Sequence, residues 1–96
     1  MEKIRRLAYN EVKKYLKEVK KWKLVNNKME RNFIFKDFKD AIKFVNKVAD
    51  IAEEQKHHPD ILVYSWNKVR LTIYTHSING LSENDFDLAS KINKVL

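Results

Sequence analysis

The pattern that most restricts the fold is a change of hydrophobic period along the chain. From Phe38 to Gln55, apolar residues return every three or four positions: Phe38, Ala41, Ile42, Val45, Val48, Ala49 and Ala52. That spacing gathers them on one side of an α-helix. On both sides of this stretch the period drops to two. Met29, Phe33 and Phe35 share one face over 29–35, with Arg31 interrupting it. Val69, Leu71 and Ile73 alternate with Arg70, Thr72 and Tyr74 over 69–75. Both segments read as strands, and each has a companion. Residues 22–25 (WKLV) precede an Asn26-Asn27 turn, where Asn tolerates positive φ. Residues 61–66 (ILVYSW) precede Asn67-Lys68, which supplies a second turn.

Helices are predicted at both ends. Over residues 3–20, Ile4, Ala8, Val12, Tyr15 and Val19 form a stripe widened by Leu7 and Leu16. Near the C-terminus, after the only glycine, Gly80, Ser82 and Asp85 have the spacing of a capping box. Phe86, Ala89, Ile92 and Leu96 follow as an apolar stripe. The order is αββαββα. It predicts an α+β fold in which a four-stranded antiparallel sheet carries its helices on one face. Ninety-six residues suit one domain.

Composition removes several function classes. With no Cys there is no disulfide scaffold, thiol nucleophile or cysteine-held metal. No apolar run approaches the roughly 18 residues of a membrane span, and the N-terminus lacks a signal-peptide core. A cytoplasmic protein without membrane attachment is expected. The net charge of +7 lies wholly in residues 1–31, which hold 11 Lys/Arg against 4 Asp/Glu. Such a segment can attract nucleic acid or an acidic partner. It carries no recognised DNA-binding motif, however, and Tyr9 and Tyr15 form no obvious stacking platform. A solvated face is the expected role, and nucleic acid is not an expected partner.

Two features of the central helix stand out. Phe44 and Ile51 form a second apolar row, expected to be a subunit contact. Glu53 and Glu54 sit in the last turn, where the helix dipole disfavours negative charge. Residues that break a local rule are candidates for function. Glu53 comes one turn before His57, and all three histidines (His57, His58 and His76) flank the second hairpin. A tight hairpin brings its open ends together, with Asp85 a short loop beyond. Imidazoles titrating near neutrality beside carboxylates suit proton transfer. Pro59 biases His58 toward extended backbone, so His57 and His58 should point to opposite sides and take different roles.

These residues resemble the pterin-4a-carbinolamine dehydratase (4a-hydroxytetrahydrobiopterin dehydratase) family. The resemblance rests on Glu53, His57-His58-Pro59, Trp66, His76 and Asp85. It extends through Thr75-His76, Gly80-Leu81 and Leu88-Ala89, and through Trp22 and the Phe33-x-Phe35-x-Asp37-Phe38 run. It covers about Trp22 to Ile92. Two departures are Lys21, where the family often has Gly, and Trp66, where Tyr is frequent.

The resemblance implies one dehydratase-like domain over residues 1–96, acting on 4a-hydroxytetrahydropterin without a metal or other cofactor. It implies His57 and His76 as the acid/base pair, and His58 in pterin binding and polarisation as a third member of the catalytic set. Pro59, Trp66, Thr75 and Ser77 are implied substrate contacts, and Glu53 and Asp85 orient the imidazoles. It also implies a homodimer or homotetramer. The alternatives are a protein-binding role as a dimerisation cofactor or transcriptional coactivator, a basic nucleic-acid-binding module, and a metal-dependent hydrolase using the three histidines.

Overall fold

The computed structural model describes residues 4–96. Lys3, the first residue of the predicted N-terminal helix, lies outside that range. The elements are α1 (Tyr9–Leu16), β1 (Lys23–Val25), β2 (Lys28–Ile34), α2 (Phe38–Gln55), β3 (Asp60–Tyr64), β4 (Lys68–Ile73), a short 3-10 turn (His76–Ile78) and α3 (Glu83–Lys94). The four strands form one antiparallel sheet in the order β1-β2-β4-β3. The predicted α+β class, element order and topology are those observed.

Alternation explains which side of the sheet is covered. Met29, Phe33, Val69, Leu71 and Ile73 are buried, while their neighbours along β2 and β4 are not. Ala41, Phe44, Val48 and Ala52 from α2 and Phe86, Leu88, Ala89 and Ile92 from α3 complete the core. Burying a side chain such as Leu71 or Ile92 contributes roughly 1.5–3 kcal/mol.

The predicted bounds of α2 hold at both ends. Asp37 accepts from the Asp40 backbone N–H at 2.8 Å. At the other end Lys56 adopts left-handed backbone and donates its N–H to Ala52 O.

Several expectations are corrected. The N-terminal helix begins at Tyr9, because residues 4–8 run as a strap across another loop and the Leu7 N–H donates to Leu81 O at 2.8 Å. Arg6 lies against Gly80, where an added β-carbon would sit 2.7 Å from the Arg6 Nε. Arg5 pairs with Glu11, whose Oε1 also takes the Ala8 N–H. Phe44 is no surface row for a partner. It is buried against Phe33 and Phe35, with ring centroids 4.6 and 5.1 Å away. The second hairpin turns at Ser65–Asn67, starting two positions before the Asn67-Lys68 reading, with φ of 46° at Ser65 and 57° at Trp66. Leu96 lies beyond α3 and is exposed.

Candidate active site

The end of α2 sets the site. The left-handed Lys56 turns the chain out of the helix, and the His57 N–H still bonds Ala52 O. Residues 57–59 then lead directly into β3. Continuing the β3–β4 register, in which Asp60 faces Thr72, puts His57 opposite Thr75.

His57 and Thr75 meet on Asp85. The His57 Nε2 bonds Asp85 Oδ1. Asp85 Oδ2 accepts the Thr75 hydroxyl at 2.8 Å, the Ser82 N–H at 2.8 Å and the Ser82 hydroxyl at 3.2 Å. The Asp85 side chain is fully buried, and that of His57 is 13% exposed. A carboxylate so surrounded by donors acts as an acceptor toward His57. It favours the tautomer with the proton on Nε2, which leaves Nδ1 as the ring nitrogen not engaged by Asp85. Asp85 does two jobs at once, since its bond to the Ser82 N–H also caps α3.

His58 has a separate partner. Its Nε2 lies 2.6 Å from Glu53 Oε2, with both side chains largely exposed. The adjacent imidazoles thus go to different carboxylates, in line with the different roles expected from Pro59. His76 is exposed and packs on the Tyr74 ring, centroids 4.1 Å apart. Lys28 covers that ring at 4.3 Å. Among the described residues no three His, Asp or Glu side chains form a cluster fit to hold a metal ion.

The structure therefore brings together His57, Thr75 and Asp85, and pairs His58 with Glu53. Pro59 is half-buried beside them, and Ser77 is exposed in the 3-10 turn next to His76. Trp66 is not brought there. It is 60% exposed in the hairpin turn, at the far end of β3 from the histidines. Five strand residues at about 3.3 Å each separate the two ends by roughly 16 Å. Three contributions escaped sequence reasoning. Thr75 acts through its hydroxyl on Asp85, Ser82 belongs to the same network, and Tyr74 carries His76. Thr75 was singled out only as a substrate contact and Ser82 only as part of the capping box. No sequence signal marked Tyr74.

A family model described as pterin 4 alpha carbinolamine dehydratase matches residues 5–95. The chain belongs to that family. The family's named activity, dehydration, is that of a hydro-lyase. A Sulfolobus acidocaldarius protein provisionally named as a pterin-4-alpha-carbinolamine dehydratase is 47% identical over 90 residues, spanning 94% of this chain and 98% of its own. Pterin-4-alpha-carbinolamine dehydratase 2, mitochondrial, from Arabidopsis thaliana is 41% identical over 96 residues, spanning 96% of this chain and 51% of its own. A crystal structure titled transcriptional coactivator/pterin dehydratase from Brucella melitensis superposes with a TM-score of 0.89 at 35% identity. It covers 95% of this chain and 98% of that one. No helix among the described residues is long and apolar enough to cross a membrane.

Proposed function

We propose that the chain dehydrates 4a-hydroxytetrahydropterin to quinonoid dihydropterin and so recycles tetrahydropterin. The observation that carries this reading is the His57–Asp85 pair at one end of the sheet, in a chain of the dehydratase family. The reaction breaks the C4a–O bond, and the oxygen leaves as water after receiving a proton. N5 gives up its proton as the C4a=N5 double bond forms. Asp85 keeps His57 Nδ1 free to take the N5 proton. His76, exposed one residue beyond Thr75, gives a proton to the leaving oxygen. His58 binds and polarises the pterin, held by Glu53. Pro59, Ser77 and the backbone at Thr75 supply the remaining contacts. General acid and base groups of this kind are each worth typically 10²–10⁴-fold. The proton transfers require no metal or redox cofactor.

This reading takes the working protein to be a cytoplasmic homodimer or homotetramer. Exposed Ile34, Phe38 and Trp66 are available for a subunit contact in place of the buried Phe44. The test is to add purified protein to 4a-hydroxytetrahydropterin and follow its loss. Accelerated dehydration is expected. Wild-type rates in a His57→Ala/His76→Ala double variant would sink the site assignment.

A further inference from the structure

Away from the histidines, about 12 Å further along α3 at 1.5 Å per residue, a cleft of about 350 Å³ opens between the α1–β1 connection and the last turn of α3. Lys20, Lys21, Arg31 and Lys94 line it, against a single carboxylate side chain, Glu18.

Arg31 is the unusual member. It lies on β2, an inner strand, on the covered face between Met29 and Phe33. A guanidinium in that position ordinarily has a carboxylate partner. Arg31 forms no ion pair among the described residues. Its Nη1 donates to Asn93 Oδ1, its Nε is buried without an acceptor, and its Nη2 makes no hydrogen bond to the described residues. The Phe33 ring lies under it at 4.5 Å. Burial lowers its pKa, as expected of a cation whose desolvation is uncompensated.

The surroundings are fixed. Asn93 Oδ1 also accepts the Trp22 indole N–H at 2.9 Å, and Asn93 Nδ2 donates to Lys20 O at 3.2 Å. Lys21 is held at φ 71°, a left-handed conformation that is strained for a residue with a β-carbon. Glycine would avoid that strain; lysine accepts it and adds a charge to the cleft wall. Strained backbone of this kind concentrates at ligand clamps.

Clustered cations in a concave setting focus positive potential, and a guanidinium fork suits a phosphate oxyanion. We propose that this cleft binds a small phosphate-class anion, inorganic phosphate or a phosphomonoester, with Arg31 at its base and Lys20, Lys21 and Lys94 at its rim. A nucleic-acid duplex would need phosphate contacts spaced along a track, whereas these four cations line one cleft. The proposal is independent of the dehydratase reading.

The test is a titration with inorganic phosphate at constant ionic strength made up with chloride. Amide NMR shifts and Tm are followed for wild type and Lys21→Gly. Relief of the left-handed strain should leave Lys21→Gly as stable as wild type in chloride, or more so. Phosphate should shift the amides around Lys21, Arg31 and Asn93 and raise the wild-type Tm. Its affinity should fall about three- to fivefold in Lys21→Gly, as removal of a rim charge does. Arg31→Gln should bind more weakly still, and Lys21→Gly keeps the test valid if that variant does not fold. Phosphate also stabilises proteins non-specifically, so an equal Tm rise and equal affinity in both proteins would overturn the proposal. Absence of localised amide shifts would do the same. Glycerol 3-phosphate should compete with phosphate. An oligonucleotide that binds the cleft and is not displaced by phosphate would replace the proposal with a nucleic-acid site.

Discussion

His57 and His58 are neighbours in sequence, and each bonds a carboxylate through Nε2, yet the two pairs differ in nearly everything else. The Asp85 side chain is fully buried and holds three further hydrogen bonds from Thr75 and Ser82. The Glu53 side chain is 77% exposed and the His58 side chain 61%. In water a histidine–carboxylate contact is screened and easily exchanged, and exposed pairs are worth about 0–1 kcal/mol. In the interior the same contact fixes a tautomer, and losing one partner strands the others. The chemical type of a pair therefore says little about its importance; its burial and its remaining partners say more.

The largest effect should come from Asp85→Ala. Removing one member of a buried pair costs about 3–5 kcal/mol, and urea unfolding should show a loss of that order. Glu53→Ala should cost under about 1 kcal/mol by the same measurement. Equal losses from the two would break the comparison.

Catalysis should follow the same ranking. His57→Gln should lower kcat in the dehydration assay by about 10²–10⁴-fold, the range for a general base. Glu53→Gln should change it only a few-fold, chiefly through KM. A larger kcat defect from Glu53→Gln would move the proton transfer from His57 to His58.

The smallest effect lies at the far end of the chain, where a surface pair provides a control. The Arg5 guanidinium and then the Ala8 N–H bond the Glu11 carboxylate and lower its pKa from 4.5 to about 2. A lowered carboxylate value contributes stability above its ordinary pKa that is lost as pH falls through the folded value. The stability gap between wild type and Glu11→Gln should therefore be constant above pH 4.5 and close between pH 4.5 and 2. Acid titration of Tm for the two proteins measures it. A gap that persists at pH 2 would mean that Glu11 acts through something other than its charge.

What the sequence made legible follows from how local each signal is. Helix α2 could be read to its last residue, because its period, its Asp37 cap and its 18-residue length all act within the element. The N-terminal stripe had the same period and misled, since residues 4–8 stay outside the helix, with the Leu7–Leu81 hydrogen bond made across the fold. Phe44 looked like a surface row because a helical pattern cannot show that Phe33 and Phe35 stand over it. Trp66 read as a strand residue near the site; the left-handed turn that carries it has no glycine to announce it. The histidines, Glu53 and Asp85 were visible from spacing. The hydroxyls that hold Asp85, and the ring beneath His76, depend on side-chain directions that spacing does not encode. Arg31 was visible as an interruption in an apolar face, but its missing carboxylate was not.

The contacts of α3 and of the loop before it also bear on the order in which the protein can assemble. Leu7, Trp22, Arg31 and His57 reach partners at residues 81, 93, 93 and 85. The His58–Glu53 contact spans five residues and can form as soon as α2 does. During synthesis the first hairpin, α2 and the second hairpin all emerge before the helix that ties them together. Closing such long loops carries an entropic cost that only the finished interface offsets. A nascent chain stopped before Ser82 would display all three histidines, with His57 still lacking the carboxylate that selects its tautomer. In the proposed mechanism, His57 therefore gains the partner that orients it only when α3 docks.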